Sequence, residues 1–319
     1  MSHTPVPYDP EVATALEALN TDLPEYTPEA LVALRDVVAY PSAAEVIGDR
    51  PVDVAEHTAP GPDGGPDVAL TVLSPRGLEQ PAPALYNIHG GGMVLGSRDT
   101  DNPRLVDLVL ELGVVAVNVE YRLAPEHPHP APVEDCYAGL VWTAEHAAEL
   151  GIDPARIVVV GGSAGGGLTA GVALLARDRR GPALAGQMLL CPMLDDTNTT
   201  VSSQQYQGFG PWPREANLAG WSALLGDATD VSPYAAPSRA TDLSNLPHAF
   251  VEVGSAEVFR DEDVDYARRI WATGGSAELH VLSGGCHGFD TLAPDAEITR
   301  AAQAARLSWL HRVLDIPTK

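Results

Sequence analysis

Residues 156–171 read Arg-Ile-Val-Val-Val-Gly-Gly-Ser-Ala-Gly-Gly-Gly-Leu-Thr-Ala-Gly, and few folds accommodate such a stretch. Ile157 to Val160 is an apolar, β-branched run of the kind that a strand buried on both faces requires. Leu168 to Ala176, rich in Ala and Leu, reads as helix. Between them lies Gly161-Gly162-Ser163-Ala164-Gly165, a G-x-S-x-G pattern at a strand-to-helix junction. That context can present a serine as a nucleophile on a sharp, strained turn. Gly161 and Gly165 remove side chains that would collide with the turn, and the following helix N-terminus favours developing negative charge. A plain small-residue turn and a dinucleotide site are the competing readings. Against the second, the run has no glycine at the third position of G-x-G-x-x-G and follows four earlier strands instead of opening the first βαβ unit. The partners decide.

Strands are expected near 52–58, 68–73, 84–88, 114–119, 157–161, 187–191, 249–254 and 278–282. The cluster Pro60-Gly61-Pro62-Asp63-Gly64-Gly65-Pro66 suits a hairpin between the first two. From the third strand on, helical patterns intervene near 101–112, 134–150, 163–177, 261–273 and 295–314. Alternation of this kind means a mostly parallel sheet of eight strands covered by helices on both faces, an α/β fold. An antiparallel start followed by parallel crossovers is the order of the α/β-hydrolase sheet. Ahead of the strands, Asp9-Pro10-Glu11 starts a helix with Val12, Leu16 and Leu19 on one face. Thr27-Pro28-Glu29 starts another, with Leu31, Leu34, Val37 and Val38, that Pro41 stops after Tyr40. Residues 195–235 break the alternation and read as an insertion with a helix near 214–225. Its Phe209, Trp212 and Trp221 are candidates for a pocket mouth or equally for the insertion's own core, which suits Trp221 better, and Met93, Phe209 and Trp212 are candidates to bind substrate. The expected organisation is an N-terminal helical part at 1–45 and a catalytic domain at 46–319 carrying the insertion as a cap.

Ser163 needs a base, and His287 sits in the glycine-flanked loop Ser283-Gly284-Gly285-Cys286-His287-Gly288-Phe289 after the last strand. The base needs an acid to fix its tautomer. The loop after the seventh strand offers Glu257, Asp261 and Asp263; Glu257 is nearest the strand end, and the other two fit an acidic helix first turn. After the third strand comes His89-Gly90-Gly91-Gly92-Met93, whose glycines let backbone N–H groups approach a substrate oxygen. Gly91 and Gly92, with the amide of Ala164, would bind the oxyanion of a tetrahedral intermediate.

With these residues in hand, the chain resembles the bacterial hormone-sensitive-lipase-like carboxylesterases, a family of α/β hydrolases. The likeness runs from about residue 50 to the C-terminus. Besides the glycine loop and the elbow it includes Tyr121-Arg122-Leu123-Ala124-Pro125-Glu126, Arg260-Asp261-Glu262 and His287-Gly288-Phe289. It implies a nucleophile at Ser163, a base at His287, oxyanion donors at Gly91, Gly92 and Ala164, and a pocket for short acyl chains. It also implies structural roles for His89 and the Tyr121–Glu126 segment. Two positions depart from the family pattern: Glu257 stands where Asp is usual, and Gly162 precedes the serine where an acidic residue is frequent.

The chemistry expected is ester hydrolysis through an acyl-enzyme, with a small-molecule ester as substrate and with no metal or organic cofactor. A non-catalytic ligand-binding member and an amidase or acyltransferase on the same site stay open as alternatives. A formal net charge of −24, from 43 acidic and 19 basic residues, argues against nucleic acid or an anionic membrane surface as partner. The three cysteines, Cys136, Cys191 and Cys286, show no disulfide or zinc spacing, and a catalytic Cys286 beside His287 is disfavoured because adjacent loop residues rarely face one substrate. The first ten residues have no basic region followed by an apolar core, and no run approaches roughly 18 apolar residues, so a cytoplasmic protein is expected. Packing along the last strand and helix is the route to a homodimer that the resemblance implies.

Overall fold

The structure is a computed structural model that describes residues 3–19, 26–62 and 64–318. Asp63 of the hairpin cluster and the side chain of Leu19 lie outside the described residues. Eight strands form one sheet: β1 (Val52–Ala59), β2 (Val68–Pro75), β3 (Ala82–Ile88), β4 (Val115–Val119), β5 (Ile152–Gly162), β6 (Gly186–Leu190), β7 (His248–Gly254) and β8 (Ala277–Leu282). Their spatial order is β1-β2-β4-β3-β5-β6-β7-β8. β2 is antiparallel to both its neighbours and the remaining pairs are parallel, so the expected hairpin start and parallel continuation are both present. The central strands β3, β4 and β6 are buried along their whole length, which is why their sequences are mostly apolar, with Asn87, Asn118 and Gln187 as the buried polar residues.

Helices cover both faces. Ahead of the sheet come α1 (Pro10–Leu19), α2 (Pro28–Ala33) and α3 (Ala43–Ile47); α4 (Asn102–Leu112), α5 (Ala131–Glu145) and α6 (Ala164–Arg179) then alternate with strands. After β6 the insertion supplies α7 (Val201–Gln205) and α8 (Arg214–Leu225), and the chain ends with α9 (Arg260–Ala272), α10 (Phe289–Leu292) and α11 (Glu297–Val313). Asp9 caps α1 through its side chain, and Thr27 caps α2, as their sequences require. The second of these helices is shorter than expected. It passes into a single 3-10 turn that ends at Asp36, and Val37 and Val38 are exposed at 77% and 41%. Two β-branched residues with nothing to pack against do not carry a helix further.

The largest core cluster joins β2, β3, β4 and β5 to α5 and α6 and extends into the insertion through Trp221 and Leu224 of α8. Trp221 therefore belongs to the main core and not to a separate core of the insertion. Leu31 of α2 enters the same cluster, and α2 packs on α8.

On the opposite face α11 is fastened by charge. Arg306 lies between Glu252 on β7, which it meets with two nitrogens, and Asp290 on α10 at 2.7 Å. Arg306 and Glu252 are 8% and 2% exposed. The guanidinium holds the Asp290 carboxyl below the usual carboxylate range against its own burial. Removing one member of such a cluster strands charge in a low dielectric. Replacement of Arg306 by Met is expected to cost about 3–5 kcal/mol of unfolding free energy, read from urea denaturation at neutral pH.

Candidate active site

Ser163, Glu257, His287 and the glycine loop arrive at the carboxyl ends of the parallel strands, where ligands bind in open α/β sheets. Ser163 follows β5, the His89–Met93 loop follows β3, Glu257 follows β7 and His287 follows β8.

Ser163 has φ +57° and ψ −124°, outside the regions that L-residues normally occupy. Holding a side chain there costs about 1–3 kcal/mol, which the surroundings must offset. Its N–H donates to the Leu190 carbonyl at 2.8 Å, and its own carbonyl accepts from Gly167 and Met193, both at 3.0 Å. The turn closes only because flanking side chains are missing. A Cβ on Gly161 would stand 2.3 Å from the Gly165 carbonyl oxygen, and one on Gly165 would stand 2.1 Å from that of Ile88.

His287 lies between the two other groups. Its Nδ1 is 2.7 Å from Glu257 Oε2 and its Nε2 is 2.9 Å from Ser163 Oγ. With Nδ1–H donating to the carboxylate, Nε2 is free to accept the serine hydroxyl. Glu257 is 2% exposed, and its second oxygen accepts the Gly254 N–H at 2.9 Å, which fixes the carboxylate plane. The longer glutamate thus spans back to the end of its own strand. Phe259 meets the imidazole edge-on at 5.1 Å between centroids.

The two rival acids are placed elsewhere. Asp261 accepts the Ser202 N–H at 2.8 Å at the start of α7 and pairs with Arg260. Asp263 is buried away from the imidazole, and burial together with the charges of Glu262 and Glu257 pushes its carboxyl well up. Glu262 accepts the N–H groups of Leu194 and Asp195, so Arg260-Asp261-Glu262 anchors the entry to the insertion.

In the glycine loop Gly91 and Gly92 have φ of +115° and +62°. A Cβ on Gly91 would come within 2.2 Å of the Leu95 carbonyl oxygen, and one on Gly92 within 2.4 Å of the Trp212 ring. Gly91's carbonyl accepts from Val94 and Leu95, while the N–H groups of Gly91 and Gly92 have no acceptor among the described residues. Ala164 opens α6, so its N–H is one of the first four that a helix leaves without an intrahelical partner. Free donors on both sides of a strained hydroxyl can receive charge that develops on a carbonyl oxygen.

Trp212 overlies Gly92 and stands 6.4 Å from the His287 ring, and Phe209 packs on Tyr206; neither is among the residues that line the cavity beside Ser163. Met93 departs from expectation. It takes φ +64°, which turns its side chain into the main core, and it is fully buried there away from the cavity. A cavity of about 570 Å³ opens beside Ser163, His287, Gly90 and Gly91.

Two features carried no sequence signal, and a third gives physical form to a role that the resemblance implied. Arg35 reaches from beyond α2 to the carbonyls of Val94 and Ala124, both at 2.7 Å, and to the Glu126 carboxylate at 2.9 Å. Cys191 has ligand-forming atoms within 4.8 Å of those of Glu257 and His287. Those three residue types could hold a soft divalent cation, but the Cys191 thiol is pushed well up by burial and the Glu257 charge. The imidazole and carboxylate are meanwhile committed to each other and to Ser163. Cys286 is buried, with its thiol pushed up to about 12 by desolvation, and is no nucleophile. The third feature is the stacking of His89 on Tyr121 at 4.1 Å, while the Tyr121 hydroxyl donates to the His89 carbonyl.

Residues 85–291 match a family model described as the alpha/beta hydrolase fold, and the chain belongs to the α/β-hydrolase family. It is 35% identical over 270 residues to carboxylesterase NlhH of Mycobacterium tuberculosis, covering 81% of this chain and 82% of that protein. Among solved structures it resembles a bacterial heroin esterase, with a TM-score of 0.87 at 40% identity over 96% of this chain and 98% of the other. It also resembles esterase LipW from Mycobacterium marinum, with a TM-score of 0.84 at 32% identity over 99% and 98%.

His89 adds a pH dependence to the loop it supports. Burial lowers its pKa from 6.5 to about 4, so in the fold the ring is neutral and its Nδ1–H donates to Gly90. Above pH 6.5 neither the folded nor the unfolded ring is charged and there is no penalty. Below it the unfolded chain takes the proton first, so stability falls as the pH drops towards 4. The gap between 6.5 and about 4 corresponds to about 3 kcal/mol. A His89→Gln variant should show that much less loss between pH 6.5 and 4 than the native protein, measured by denaturant melts across that range.

Proposed function

We propose that this chain is a serine carboxylesterase that hydrolyses short-chain acyl esters through an acyl-enzyme on Ser163. The observation that carries the reading is the unbroken hydrogen-bond chain from Ser163 through His287 to Glu257, set beneath free backbone donors. Named carboxylesterases and esterases among its relatives support the reaction class.

In this mechanism His287 Nε2 takes the proton as Ser163 Oγ attacks the ester carbonyl carbon. The resulting oxyanion is held by the N–H groups of Gly91, Gly92 and Ala164, each donor contributing about 3–4 kcal/mol to the barrier. The imidazolium, stabilised by Glu257, protonates the leaving alcohol as its bond to the acyl carbon breaks. His287 then takes a proton from water as the water oxygen attacks the acyl carbon, and gives it to Ser163 Oγ as the acyl–Oγ bond breaks and the acid leaves.

Residues 1–45 and the 195–235 insertion act in this reading as a cap on a catalytic domain at 46–319. Contact of α2 with α8, the hydrogen bond from the Tyr206 hydroxyl to the Val6 carbonyl, and Trp212 over the oxyanion loop support that division. No helix among the described residues is long and apolar enough to cross a membrane. A cytoplasmic location and a homodimer formed along the edge strand β8 complete the proposal. An intact base and acid beside Ser163 weigh against a purely ligand-binding member.

Mass spectrometry after exposure to a serine-directed phosphonate should find one adduct, on Ser163, in protein that also turns over p-nitrophenyl acetate. Folded protein with neither turnover nor adduct would defeat the reading. Glu257→Gln should lower kcat about 10³-fold or more, because the wrong tautomer is no longer excluded. Asp261→Asn should stay within about tenfold, since that carboxylate supports the insertion and not the imidazole.

A further inference from the structure

The elbow carries glycine at 161, 162, 165, 166 and 167, and four of the five are required by close packing. A Cβ would meet backbone atoms at 2.3 Å from Gly161, 2.1 Å from Gly165, 2.9 Å from Gly166 and 2.2 Å from Gly167. Gly162 is the exception. A Cβ there would find only Leu190, at 3.8 Å from its carbonyl oxygen and 4.0 Å from its Cβ, which is ordinary contact. Its φ also lies outside the left-handed region. Neither backbone geometry nor packing demands a glycine next to the nucleophile.

What the missing side chain provides is space. Gly162 lines the 570 Å³ cavity together with Ser163 and His287. Beyond it the cavity continues between the sheet and the helices α4 and α11, with apolar walls from Met188, Leu190 and Leu307. Arg104 marks a polar end. Its terminal nitrogen is engaged by Asn87 and Asp101, whereas its Nε–H is buried with no acceptor among the described residues. As for size, a dry cavity of about 150 Å³ already accepts a benzene ring.

We infer that Gly162 is a specificity-determining residue, joining the Ser163 site to a chamber that receives one arm of a bulky ester. That arm has an apolar body of ring size. The inference rests on the ester-hydrolase reading and names the substrate class of the same site. A valine or aspartate at 162 would fill the passage and confine the site to small esters.

The test uses the full chain and three esters followed by acid release: methyl acetate, methyl 4-methoxycyclohexanecarboxylate and 4-methoxycyclohexyl acetate. The readout is kcat/KM for each bulky ester divided by kcat/KM for methyl acetate. Gly162→Val should lower that ratio at least tenfold for one of the two, and the one affected tells whether the chamber takes the acyl or the alcohol arm. Leu307→Trp, which fills the chamber from α11 without touching the elbow, should lower the same ratio, and it decides the matter should Gly162→Val fail to fold. Ratios within twofold of the native value for both esters in the folded variants would overturn the inference. Native protein that hydrolyses none of the three and takes no phosphonate would instead defeat the esterase reading, so the two failures are distinguishable.

Discussion

Ser163 is held in a backbone conformation that an L-residue avoids, and the arrangement of the site depends on that constraint. Three hydrogen bonds fix its peptide groups: its N–H donates to Leu190 of β6, and its carbonyl accepts from Gly167 of α6 and from Met193 just after β6. Interlocked glycines then let α6 and the loop after β3 approach within van der Waals distance of the turn. Strain of this kind persists only where surrounding structure over-determines it. Here the determining elements are the parallel strands β3, β5 and β6, whose register places Gly161 opposite Ile88 and Gly162 opposite Leu190. Sheet register, and not any side chain of the site itself, sets where the hydroxyl points.

Around that hydroxyl the protein separates groups by charge state. Glu257 is buried, yet it has partners for both oxygens, so its ionised form has somewhere to place its charge. His89 is buried with only a carbonyl partner and is therefore kept neutral. Asp263 and Glu262 are buried nearby and pushed towards the protonated form by desolvation. Of these three buried carboxyl groups, only Glu257, which has a partner for each oxygen, meets the imidazole.

Much of this was legible in the sequence because the decisive residues are locally punctuated. Glycines bracket Ser163 and His287, and buried β-branched runs announce the strands before them. Glu257 was separable from Asp261 and Asp263 because it is nearest the strand end, where a side chain can turn back. Met93 was misread: nothing in the glycine loop indicates that the residue after Gly92 takes a left-handed backbone and turns inward. The length of the second helix was misread too, since apolar periodicity through Val37 and Val38 does not reveal whether a partner surface exists. The reach of Arg35 across 59 residues to Val94, and the approach of Cys191 to the imidazole, are products of topology with no local signature.

Arg35 has a consequence for how the protein breathes. One guanidinium holds the carbonyl of Val94, in the loop that carries the proposed oxyanion donors, and the carbonyl and carboxylate of the Tyr121–Glu126 segment. The N-terminal helices therefore cannot lift away without surrendering three acceptors beside the donors of Gly91 and Gly92. Access to the pocket and rigidity of the donors become a single linked equilibrium. Linkage is reciprocal, so a ligand that orders the oxyanion loop also tightens the N-terminal segment, and loosening that segment weakens the ligand's hold.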